Sequence, residues 1–195
     1  YATQSEDFNQ ALELIEGLKA GTVNLADNKK FNGIMDKIEI MKKYNAEQND
    51  PLAVTYEKGP EMLGKSEVGF WFMGNWAWPL INEFDEDKSE FGFVPVPTSN
   101  DPQEYGNTGI SVGVAKVIGL DETQNTDEQQ EAGAKFLEWL VYSESGQDVI
   151  VNKANMVPIY KNNAFEAVDP LARSIGEYLA KESTIKNDIL FPGDH

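Results

Sequence analysis

The sequence predicts an α/β protein with helices dominating its two ends. Residues 68–73, "VGFWFM", form a continuous apolar run that is β-rich and too short for a helix. Apolar residues at successive positions predict a strand covered on both faces, as at the centre of an α/β sheet. "FGFVPVP" (91–97) reads as a second buried strand ended by prolines, and "NTGISVGVAKV" (107–117) as a third, with Gly109 and Gly113 marking bends or close backbone approach. On either side of this block the apolar residues recur at helical spacing.

In chain order, "SEDFNQALELIEGLKAG" places Phe8, Ala11, Leu12, Ile15 and Leu18 on one helical face, with Ser5 or Thr3 as N-cap and Gly21 as the stop. After the polar connection "VNLADNKKF", "FNGIMDKIEIMKKY" repeats the pattern with Phe31, Ile34, Ile38 and Met41. A short helix is expected around "YEKGPEMLG", where Pro60 is tolerated near the start. "GNWAWPLINEF" opens a helix at Gly74 and Asn75, with Pro79 in its early part. Thr126 or Asp127 caps "DEQQEAGAKFLEWLVYS", whose Ala132, Phe136 and Leu140 form an inward stripe. Ser143 or Ser145 caps "SESGQDVIVNKA", "NMVPIY" is extended, and "DPLARSIGEYLAKES" starts a helix with Pro170 after Asp169. There is no internal repeat and no low-complexity tract.

The composition excludes several classes of function. With 33 acids against 16 bases the net charge is −17, which repels phosphate backbones and argues against nucleic-acid binding. Zero cysteines exclude disulfides, thiolate metal sites and cysteine nucleophiles. The single histidine, His195, cannot build a Ser-His-Asp triad or a multi-histidine zinc site. No run approaches the roughly 18 apolar residues of a membrane span. The start, "YATQSEDFNQ", has no initiator Met, basic flank or apolar h-region, so a segment of a longer chain without a signal peptide is expected.

Three tryptophans within eight positions, Trp71, Trp76 and Trp78, are the densest candidate chemistry. Strand alternation points Trp71 away from Phe70 and Phe72, against covering helices. Trp76 lies just beyond the strand end, where side chains of open α/β sheets reach the ligand crevice. Its indole suits the C–H-rich face of a pyranose, with the Asn75 amide beside it for hydroxyls, but a core role fits the sequence equally. Trp78 is about 200° further round the helix and faces elsewhere. Tyr105, in "PQEYGNTG", is placed to reach a crevice; Tyr142, Tyr160 and Tyr178 read as residues of helix or strand faces. "YGNTGIS" is small and polar enough to approach a polyol, but its first reading is a plain turn. The acid-rich stretches "NEFDEDKSE" and "DETQNTDEQQE" read as solvated loops and helix starts. "DEDKSE" lacks the glycine and glutamate of an EF-hand loop, and "GVAKVIG" is not followed by G-K-[ST].

Taken in order, "FNGIMDKIEIMKKYN", "TYEKGPEMLGKSEVGFWFMGNWAWPLI", "FGFVPVPTSNDPQEYGNTGISVGVAKV" and "EAGAKFLEWLVYSESGQDVIVNKANMVPIY" resemble the extracellular solute-binding proteins of bacterial ABC importers. The closest branch is family 1, which includes maltose-binding protein. The resemblance runs from about residue 5 to the end. It implies a type II periplasmic-binding-protein fold, closing over its ligand by a hinge and docking on membrane permeases. In maltose-binding protein the first tryptophan of the matching "GPWAW" stacks on a sugar ring; here that residue is Trp76, preceded by Asn75 in place of proline. "YGNTGIS" matches the passage through cleft and hinge, so Tyr105, Asn107, Thr108 and Gly109 join the candidate ligand contacts.

Family members are roughly twice as long, so residues 1–195 are expected to be dominated by the C-terminal lobe, with the crossover towards the first lobe near 105–125. The resemblance further implies a non-catalytic receptor for a sugar or oligosaccharide, outside the cell or in the periplasm. Its partners would be permease subunits, with membrane contact only through a lipid anchor on the full-length protein. No cofactor, metal or nucleic acid is expected. Two alternatives stay open: a carbohydrate-active enzyme domain using Glu83 or Glu104, and a receptor for a non-sugar solute.

Overall fold

The structure is a computed structural model that describes residues 7–50, 55–87, 90–113, 117–158, 160 and 162–186. It is mixed helix and strand, with helix predominating. Helices α1 (Phe8–Lys19), α2 (Lys29–Lys43), α3 (Lys58–Gly64) and α4 (Trp78–Phe84) precede strand β1 (Ile110–Val112). Then come α5 (Asp127–Tyr142), α6 (Glu144–Asp148), α7 (Pro170–Ala180) and strand β2 (Thr184–Lys186). Two 3-10 turns, Leu25–Asp27 and Asn75–Ala77, lead into α2 and α4, and a π-helical turn, Val149–Lys153, continues α6. Among the described residues no helix is long and apolar enough to cross a membrane.

Helix starts follow local side-chain chemistry. Asn28 accepts the Phe31 N–H, Thr126 forms a reciprocal capping box with Gln129, Ser143 accepts the Gly146 N–H, and Asp169 accepts the Ala172 N–H ahead of Pro170. The first helix is a correction: Asp7 caps it through the Asn9 N–H, while Thr3 and Ser5 lie outside the described residues. Gly21 follows the end of that helix at a φ of 68°, the left-handed region a stop requires.

The strands depart most from expectation. β1 and β2 pair in parallel, Ile110 opposite Thr184 and Val112 opposite Lys186. A parallel pair joined through helices is the α/β arrangement. This ladder uses only 110–112 of the third expected strand, whose residues 114–116 lie outside the described residues. Among the described residues, 68–73, with a bend at Gly69, and 91–97 join no ladder. Nor is 68–73 covered on both faces: Trp71 and Met73 turn inward, while Phe70 and Phe72 are 83% and 68% exposed. Phe91 and Phe93 likewise pack inward and Val94 outward. In place of a neighbouring strand, side chains of α7 bond both backbone groups of Phe93. Ser174 Oγ accepts from the Phe93 N–H at 2.9 Å, and Tyr178 OH donates to the Phe93 carbonyl at 3.2 Å.

The core gathers on Ala77, Ile81 and Leu171, with Leu63, Trp71, Met73, Trp78, Phe91 and Phe93 packed around them. Close approach of α3 makes this possible. A Cβ at Gly59 would lie 2.5 Å from the Trp71 ring, and one at Gly64 would lie 2.7 Å from the Ile81 carbonyl oxygen. Away from this centre the helical stripes are less covered than their periodicity predicts. Ile15 is buried, Leu18 half-buried and Leu12 exposed; the side chains of Phe8 and Ala11 lie outside the described residues. Phe31 and Ile34 are half-buried, but Ile38 and Met41 are about half exposed. On α5 the stripe fails: Ala132 and Phe136 are exposed and only Leu140 is half-buried.

On α3, Glu61 lies between Lys65 at 2.7 Å and Lys58 at 2.9 Å. The hydrogen bond from Lys65, then that from Lys58, holds its carboxyl down from the ordinary 4.5 to about 2. A lowered carboxyl contributes stability that is present above its unfolded value and is lost as pH falls through about 2. In Lys65→Met the Glu61 side-chain carboxyl ¹³C titration is expected to move up towards 4.5; an unmoved midpoint would show that Lys65 does not hold it.

Candidate functional site

The end of the extended segment and the start of α4 place the tryptophans differently. Trp71 packs inward against Gly59, 6.0 Å from the Tyr56 ring, and Trp78 packs on Phe91 at 5.6 Å. Trp76, on the 3-10 turn between them, is 63% exposed. Its six-membered ring folds back over Gly74 and fills the space a side chain there would take. Gly74 is therefore required by the indole's position, and its φ of −99° is ordinary for any residue. The indole thus rests against the backbone of Gly74 and is otherwise largely exposed; its neighbour Asn75 donates from Nδ2 to the Asn155 carbonyl at 3.5 Å. A carbonyl only accepts, so the amide turns its NH2 towards Asn155. Among the described residues Asn75 Oδ1 accepts no hydrogen bond.

The 98–109 segment makes its contacts in another neighbourhood. Asn107, 7% exposed, is committed to the fold. Its Oδ1 accepts from the Thr98 N–H at 2.8 Å and the Thr98 hydroxyl at 3.3 Å, while Nδ2 donates to Ser99 Oγ at 2.8 Å and the Asp101 carbonyl at 2.7 Å. Two donors and two acceptors are all an amide has, so none remains for a solute. Gly109 is buried against β2: a Cβ there would lie 3.0 Å from the Ser183 carbonyl oxygen and 3.3 Å from Ile185. Both serve the turn and strand instead of an open crevice. Thr108 is exposed, and Tyr105 is half-buried with the Lys30 ammonium 5.3 Å from its ring centre.

Next to Tyr105 the same turn encloses an open cleft of about 430 Å³ lined by Lys29, Thr98, Ser99, Asp101, Gln103 and Glu104. Sequence reasoning singled out only Glu104 among these. The others carry no motif: a helix start and a hydrated turn come together because α2 has a glycine where it meets the turn. A Cβ at Gly33 would collide with the Thr98 carbonyl oxygen. Glu104 accepts a short hydrogen bond from the Ser99 hydroxyl, and Glu83 lies exposed on α4. Gly33→Ala is expected to destabilise by about 1–3 kcal/mol from overpacking, despite a helix-propensity gain of about 1 kcal/mol. Urea denaturation checks this, and a gain in stability would contradict the close approach of helix and turn.

Of the other tyrosines, Tyr178 sits on α7, Tyr142 is exposed at the end of α5, and the Tyr160 hydroxyl is buried with no hydrogen-bond partner among the described residues. Burial pushes the Tyr160 phenol above its ordinary range. Among the described residues no group of three or more His, Cys, Asp or Glu converges as a metal site would need. Comparison with protein-family models, curated proteins and solved structures finds no match to this chain.

Proposed function

We propose that this chain is a solute-binding lobe of an extracellular or periplasmic receptor that takes a sugar or oligosaccharide for an ABC importer and performs no catalysis. One observation carries the reading. Of three neighbouring tryptophans, two are packed inward, while Trp76 is 63% exposed and the side-chain oxygen of its neighbour Asn75 accepts no hydrogen bond among the described residues. A flat apolar face next to a polar group is the pairing a pyranose needs, since the ring offers C–H bonds to one and hydroxyls to the other.

The finer fold reading, a type II periplasmic-binding-protein lobe, belongs to the same proposal. The parallel β1–β2 pair and the uncovered outer faces of 68–73 and 91–97 support it, since a lobe within a larger receptor leaves faces for its neighbours. Hinge closure over the solute and docking on permease subunits would follow from that architecture. Tyr105 and Thr108 remain candidate contacts from the crossover side.

The test is a tryptophan-fluorescence titration with glucose, maltose, cellobiose and raffinose, with chromatography of the incubated saccharides. A saturable response without new products supports the receptor. Products would transfer the reading to an enzyme, with Glu104 the carboxylate to substitute first; silence across the panel would leave a non-sugar solute.

A further inference from the structure

We propose that Asn155 is a positioning residue for the Trp76 surface, acting through the side chain of Asn75; this rests on the receptor reading above. The π-helical turn Val149–Lys153 closes with the Ala154 N–H on the Val149 carbonyl at 2.9 Å and the Met156 N–H on the Ile150 carbonyl at 3.0 Å. Between these bonds the chain must turn left-handed, and Asn155 does so at a φ of 50°. Asparagine tolerates this region better than other residues with a Cβ. Ser66 and Glu182 hold comparable left-handed positions just beyond α3 and α7. Asn155 differs in what its carbonyl does: it accepts from Asn75 Nδ2, 80 positions away in sequence.

That bond decides which way the Asn75 amide faces. With NH2 held by the Asn155 carbonyl, Oδ1 is presented as an acceptor beside the indole. Without it, the amide is free to rotate, and a solute hydroxyl meets donor or acceptor at random. The single extra residue of the π-turn sets where the left-handed residue falls, a local distortion of the kind that often marks functional sites. Asn155 thereby selects a solute that offers a hydroxyl donor at the indole's edge, without touching it through its own side chain.

The experiment compares Asn155→Gly, which keeps the left-handed turn, with Asn155→Val, which disfavours it, in the parent and in an Asn75→Ala background. Affinity for the same four saccharides is read by fluorescence. Asn155→Gly is expected to bind as the parent does, and Asn155→Val to bind roughly fivefold more weakly, the scale of one hydrogen bond. In the Asn75→Ala background Asn155→Val is expected to add nothing further. If Asn155→Val does not fold, Asn155→Ala takes its place, with the Asn75 side-chain amide resonance followed in the free protein. Weakening that persists without the Asn75 amide, or affinity and resonance unchanged by the substitution, overturns the role of Asn155 and leaves the receptor standing. A parent that binds none of the four overturns the receptor reading and the role of Asn155 with it.

Discussion

Trp76→Ala is expected to weaken saccharide binding at least tenfold, or about 1.4 kcal/mol, while the melting temperature stays close to the parent's. The indole is exposed over most of its surface, so its removal uncovers Gly74 and leaves Ala77, Ile81 and Leu171 in place. Surface substitutions of this kind usually change stability by no more than about 0.5 kcal/mol. What is lost is the face on which a sugar ring would stack. Isothermal titration calorimetry and a thermal melt on the same sample separate the two effects. A variant that unfolds would return Trp76 to the core, and one that binds as the parent does would remove it from the site. Gly74→Ala gives an independent check, since the added methyl collides with the six-membered ring and must swing the indole away. It should weaken binding with the tryptophan still present.

Ile81→Ala is expected to have the largest effect on stability, a loss of about 2–5 kcal/mol in urea denaturation. Ile81 is 2% exposed and sits where α3, α4, α7 and the extended segments meet. The rings of Trp71, Trp78, Phe91 and Phe93 pack against the cluster that holds it, and such rigid rings fill a new void poorly. Against a total stability of about 5–15 kcal/mol, that is a large share. Ile81→Val, which removes one methylene, should cost only about 0.5–1.5 kcal/mol. A loss below about 1 kcal/mol in the alanine variant would show that the core closes around the gap. Together the two alanine variants separate function from fold: Trp76→Ala changes binding at constant stability, and Ile81→Ala the reverse.

Residues near one another in sequence were read with most success. The caps at Thr126, Ser143 and Asp169 and the stop at Gly21 are set by bonds that span a few residues, whereas the helix expected to open at Gly74 and Asn75 begins there as a 3-10 turn and becomes α-helical only at Trp78. The strand segments were read less well. The run Val68–Met73 is apolar at successive positions, which speaks for cover on both faces, yet only Trp71 and Met73 are packed inward. Hydrophobicity records that a residue favours burial but not whether a neighbour arrives to bury it. β2 was missed because three residues, Thr184–Lys186, are too few for alternation to register. In the candidate site, Asn107 carries the right chemistry for a solute contact, but the turn from Thr98 to Asp101 uses all of it.

By itself the sequence determined an acidic chain without cysteine, the helix caps at Thr126, Ser143 and Asp169 and the mixed helix–strand class, because composition and short-range hydrogen bonding do not depend on distant residues. It also placed a tryptophan and an asparagine at the end of an extended segment. Only the tertiary structure decided that Trp71 and Trp78 are packed and Trp76 open, that Ile110–Val112 pairs in parallel with Thr184–Lys186, and that Asn75 meets Asn155. Each of these depends on contacts between residues far apart in the chain. Their free energy comes from which surfaces leave water together, and no local pattern encodes that.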